Sequence, residues 1–216
     1  MMHGVAAIGR RGLLSVAITS VAIPWWQAKA ESVDSASPRA PIEHLSDALL
    51  AAMRAGNGTP FSDRYLALAP VVEQVFNLDA VLAASIGLSW ATLPETQKME
   101  LLTAFRRYTV SSYVSNFDSY NGQSFRVLPP VRAVGNGEVV VQSRLVRIND
   151  SPLKLDYVMR NGPSGWQAVD VLTDGSISRV AMQRSDFREL LIAGGVPALT
   201  AGLARKVADL SGGAWG

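Results

Sequence analysis

The chain has 216 residues, 48% of them hydrophobic and 18% charged, with no cysteine and a formal net charge of +2. One domain with a substantial core fits that length, and the lack of cysteine excludes disulfide and thiol chemistry. The basic surplus belongs to the first 30 residues. Arg10, Arg11 and Lys29 stand there without any Asp or Glu, which leaves 17 basic and 18 acidic residues beyond them, a net of −1. Such a balance offers no basic face for a nucleic acid.

Residues 1–30 have the three parts of a secretory signal peptide: the Arg10-Arg11 pair, the apolar stretch Gly12–Trp25, and the small-residue site Ala28-Lys29-Ala30. The apolar stretch is shorter than the roughly 18–20 residues that span a bilayer. Export to the periplasm with cleavage after Ala30 is therefore expected, by either the general or the twin-arginine route, with an uncleaved amphipathic anchor as the competing reading. Glu31–Pro41, rich in Ser, Ala and Pro, reads as a flexible linker.

A single domain is expected over residues 42–210. Ile42–Ala55 has helical spacing and stops at Gly56-Asn57-Gly58. Phe61–Phe76 continues helically, and Pro70 predicts a kink or restart. Asp79 is placed to cap a short helix that ends at Gly87. Thr92-Leu93-Pro94-Glu95 reads as a capping box that opens the longest helix, running to about Tyr120.

After Asn121-Gly122 the period changes to that of strands: Ser124–Val131, Glu138–Ile148, Leu153–Arg160 and Gly165–Leu172. Turn residues separate them at Gly135–Gly137, Asn149–Pro152 and Asn161–Ser164. A four-residue loop at Asn161–Ser164 would set Met159 opposite Trp166, Tyr157 opposite Ala168 and Leu155 opposite Asp170. One face of that hairpin is then nearly all apolar, and Lys154, Asp156, Arg160 and Gln167 face water. Helices over Ser185–Ala193 and Val196–Leu210 follow. The order predicts an α+β fold: helices packed on a curved four-stranded antiparallel sheet, the plan of an NTF2-like cone.

Motifs for catalysis are missing. His44 is the only histidine beyond residue 30, and there is no Gly-x-Ser-x-Gly elbow, Walker A sequence or dinucleotide fingerprint. No cofactor or metal is expected. Asp170 stands apart, because the expected register puts a carboxylate on the apolar face. It either serves as an acid or base in an NTF2-like enzyme or accepts hydrogen bonds from backbone amides or an arginine.

Four segments resemble the MlaC or Ttg2D (toluene-tolerance) family of periplasmic lipid carriers: Leu101–Tyr113, Gly122–Phe125, Leu155–Val171 and Gly194–Leu203. Asn77–Asp79, Val81–Trp90 and Ser115–Gly122 resemble its hopanoid-associated branch, HpnM. The resemblance implies a carrier of hopanoid or phospholipid, docking to an inner-membrane ABC transporter with a substrate-binding ring of the MCE type and to an outer-membrane lipid-transfer complex. The candidate lining residues are Leu102, Phe105 and Tyr108 on the long helix and Val141, Leu145, Leu155, Tyr157 and Met159 on the strands. A scaffold that binds no ligand is the remaining alternative.

Overall fold

In the computed structural model, residues 37–215 are described. The expected signal segment lies outside them. Of the expected linker only residues 37–41 fall inside, and Ala40 and Pro41 already belong to helix α1 (Ala40–Ala55), with the proline in its first turn, where no intrahelical N–H is needed.

Helix α2 (Phe61–Val75) runs through Pro70 without the expected restart. The carbonyl that loses its donor is that of Leu66, an exposed residue on the solvent side of the helix, where the loss costs least. Helix α3 (Leu78–Ile86) is capped by Asn77 and not by Asp79: the Asn77 Oδ1 accepts from the Ala80 amide at 3.0 Å. The expected capping box at Thr92 does not form. It would require Leu93 to be helical, and the residue before a proline is pushed into extended backbone; Leu93 sits at ψ 139 and α4 (Glu95–Asn116) begins only after Pro94.

Strands β1 (Ser124–Gly135), β2 (Glu138–Arg147), β3 (Asp150–Gly162), β4 (Gly165–Thr173) and β5 (Ile177–Ser178) form one antiparallel meander in sequence order. The sheet thus has five strands where the alternation pattern shows four, since two residues are too few to display a period. Asn136-Gly137, both at positive φ, make the two-residue turn between β1 and β2. The β2–β3 turn is Ile148-Asn149, earlier than the expected Asn149–Pro152.

The β3–β4 hairpin corrects the expected register. Gly162 pairs with Gly165, so the loop is Pro163-Ser164 alone, and Met159 pairs with Ala168. A bulge at Val169 then puts Tyr157 opposite Val171, Leu155 opposite Thr173 and Asp170 opposite Val158. Asp170 therefore lies on the opposite face from Tyr157 and Met159. Asp156, expected in water, is buried at 3% exposure. Arg144 meets it at 2.7 Å, and the Asp174-Gly175 turn folds over it, with the Asp174 amide donating to the Lys154 carbonyl.

Helix α5 (Arg179–Leu210) starts six residues before the expected Ser185, capped by Ser178, whose hydroxyl oxygen accepts from the Ala181 amide. It breaks at Gly194-Gly195, where Gly195 takes a φ of 64. By length and composition Arg179–Leu210 matches a membrane-crossing helix, but the break leaves two stretches, each short of the roughly 20 residues a bilayer needs. The halves touch at Gly202, where a β-carbon would lie 2.7 Å from Leu190 Cδ1.

The apolar face of the sheet carries Val139, Val141, Leu145, Leu155, Tyr157, Met159 and Ala168, and the helices cover it. α4 packs chiefly on α5, and α1 on α2. Phe105 and Phe187 meet edge to face at 6.1 Å in the centre of the α4–α5 contact.

Candidate functional site: a cleft between sheet and helix

The helices do not cover the sheet evenly. Toward the C-terminal end of α4 they part from it, and a cleft of about 410 Å³ opens. Its helical wall is Ser112, Tyr113, Asn116 and Phe117, which share one side of α4 by their i, i+4 spacing. Its floor is Leu145, Leu153, Leu155, Tyr157 and Val171 from three adjacent strands, with Met53 of α1 at the back. Polar groups stand at the rim: Ser119, Gln123, Arg147, Thr173 and Arg179. An apolar floor with a few convergent polar groups is the usual form of a small-molecule site.

Aromatic rings brace this end of the molecule. Tyr113 stacks on Phe117 at 6.0 Å with rings 14° apart, Phe117 contacts Phe125, and Phe76 bridges Tyr113 and Tyr157 at 5.6 and 6.2 Å. Burial pushes the pKa of the Tyr113 and Tyr157 hydroxyls up, in Tyr113 against the opposing pull of Arg179. Both stay neutral donors at any physiological pH. Gly122, at φ 84, lets the α4–β1 loop lie on the β2–β3 turn: a β-carbon there would sit 2.6 Å from Ile148 Cδ1.

Of the eight residues singled out from the sequence, Leu145, Leu155 and Tyr157 line the cleft. Val141 and Met159 lie farther along the same face, fully buried. Phe105 is in the α4–α5 core, and Tyr108 stands beside it at 6.4 Å beneath Lys206. Leu102 borders a different groove, with Asn77 and Trp90. Sequence reasoning did not place Tyr113, Asn116, Phe117, Arg147, Val171 or Arg179 in the site. The available signal was the mixed face of α4, where polar Ser112 and Asn116 interrupt an aromatic stripe.

Asp170 is occupied elsewhere. Its carboxylate accepts from the Val171 amide at 2.7 Å, the Val180 amide at 3.1 Å and the Ser178 hydroxyl. Backbone and hydroxyl partners thus take up the carboxylate that the sequence offered as an acid or base. Among the described residues no group of three His, Asp or Glu side chains could hold a metal ion.

Fold and cleft together define a small α+β binding protein, with a ligand-sized opening between sheet and helix. Residues 43–205 match the MlaC protein family, and the chain belongs to it. Among solved structures it is similar to the phospholipid-binding protein from Ralstonia solanacearum, determined in complex with a phospholipid. The TM-score is 0.69 at 20% identity, over 81% of this chain and 99% of that one. At that identity the likeness is one of fold.

Proposed function

We propose that this protein is a periplasmic lipid carrier, taking the apolar part of one lipid into the cleft between α4 and the sheet. The observation that carries the reading is the cleft itself, with an apolar strand floor and polar groups around it, in a chain of the MlaC family. The phospholipid in the Ralstonia protein supports the class of ligand. At about 0.8 kcal/mol per buried CH₂, a lipid with some 30 methylenes is held out of water by roughly 24 kcal/mol, so it does not cross an aqueous gap unaided. The apolar floor of the cleft lowers that cost for the part of the lipid it covers, and direction then comes from docking partners. The carrier reading assigns those roles to an inner-membrane ABC transporter of the MCE type and to an outer-membrane complex. The protein acts by binding and release, without covalent chemistry.

The cargo is a phospholipid or a hopanoid; the segments Asn77–Trp90 and Ser115–Gly122 are the argument for the second. Solvent extraction of the protein purified from periplasm, followed by mass spectrometry, tests the carrier reading. A stoichiometric lipid is the expected result; protein recovered without lipid, and unable to take any up from vesicles, would leave only a scaffold. Loading the delipidated protein from vesicles with equal phospholipid and hopanoid then decides the cargo.

A further inference from the structure

The rim of the cleft is unevenly charged. Two guanidinium groups line it, Arg147 from the end of β2 and Arg179 from the start of α5, and no Asp or Glu does. Arg179 is half-buried and makes no hydrogen bond or ion pair with any other described residue. Arg147 is engaged on one side only: its Nη2 meets Asp150 at 2.9 Å and donates to the Ser151 carbonyl at 2.9 Å. Its Nε is buried without a partner. A buried donor left unmade costs its full desolvation, so an unpaired Nε beside a cavity marks a place where an acceptor belongs.

Tyr113 extends the set of donors. Its neutral hydroxyl lies in the field of Arg179 and lines the same cleft. Guanidinium groups grip tetrahedral oxyanions through paired N–H donors, and partial burial strengthens the attraction over its value in water.

We propose that Arg147 and Arg179 form an anion subsite at the mouth of the cleft, which holds the phosphate of a lipid headgroup while the chain lies on the apolar floor. The proposal rests on the carrier reading and makes it more specific: the protein selects phosphate-bearing lipids over neutral ones of the same apolar part. A neutral fused-ring lipid would leave Arg179 and the Arg147 Nε unanswered.

The probes are dodecyl phosphate and dodecanol, which share a chain and differ in the head, titrated against full-length delipidated protein by calorimetry. Dodecyl phosphate is expected to bind about tenfold tighter at low salt, with the advantage shrinking as salt is raised. Arg179→Gln and Arg147→Gln should each cut that advantage roughly threefold, and the double variant should abolish it. Dodecanol affinity should change far less than dodecyl phosphate affinity, and an unchanged urea unfolding midpoint shows that the variants fold. Equal affinity for the two probes in the parent protein overturns the subsite and leaves the carrier reading standing. So does an undiminished advantage in the double variant. Failure to bind either probe overturns both readings. Inorganic phosphate binding as tightly as dodecyl phosphate would assign the arginines to a free anion, and that too overturns the headgroup site.

Discussion

The two ends of one sheet face have the same kind of sequence and different fates. At one end Val141, Met159 and Ala168 are wholly buried under helices. At the other, Leu153, Leu155 and Val171 are only half-covered and floor a cleft. Alternation of apolar residues continues across both. What differs is the helical roof: α4 lies tight against its neighbours at Leu101 and Phe105, then presents Ser112 and Asn116 near its end. The lesson is that a strand pattern shows which face is dry, while the facing helix decides whether that face is filled with protein or left for a ligand.

Truncation should separate the ends most sharply. Met159→Ala at the filled end should cost about 2–5 kcal/mol, the range for emptying a packed site. Leu155→Ala at the open end should cost about 1 kcal/mol or less, because the removed atoms already border space. Urea unfolding of lipid-free protein measures both; equal costs would mean that the cleft is closed in solution. Enlargement is the complementary test. Val141→Trp should destabilise by about 1–3 kcal/mol through overpacking, whereas Leu155→Trp should leave stability within about 1 kcal/mol and reduce the lipid recovered by solvent extraction.

Tyr157 stands between the two ends, and pH probes it. Its hydroxyl titrates well above 10 in the folded protein because it is buried. The unfolded chain therefore loses that proton first as pH rises past about 10, and stability falls there by up to about 1.4 kcal/mol per pH unit. Below pH 10 the contribution is fully present. Tyr157→Phe should flatten this alkaline limb; an unchanged slope would mean that water reaches the hydroxyl. The smallest effect lies away from the cleft. Asn77→Ala should cost about 1 kcal/mol by removing the cap of α3, and should leave lipid uptake untouched.

Much of the architecture was legible. The places of four strands, the change of period after Gly122 and the break at Gly194-Gly195 follow from local chemistry that the sequence displays. Their bounds follow less closely: β1 runs on to Gly135 and β3 spans Asp150–Gly162, beyond the expected Val131 and Leu153–Arg160. What escaped depends on non-local geometry. The bulge at Val169 inverts the faces of everything after it, and no alternation pattern announces where an extra residue will be absorbed. Asp156 looks solvent-facing until the β4–β5 turn closes over it. The site was half-legible for the same reason: strand residues Leu145, Leu155 and Tyr157 could be named from alternation. Polar Ser112 and Asn116 were the only local sign of where α4 opens, and its distance from the sheet is set by packing on other helices.

One carboxylate that looked chemical turns out to be mechanical. Asp170 binds the hydroxyl of Ser178 and the amide of Val180, the residues on either side of Arg179. The backbone of that arginine is thereby clamped at both shoulders to the far face of the sheet, and the side chain swings from a fixed post. The backbone share of the ordering entropy is already gone before any anion arrives, and only the rotamer freedom of the side chain is left to lose. A substitution at Asp170 would thus be felt at the mouth of the cleft through the sheet, by a residue that never touches what enters it.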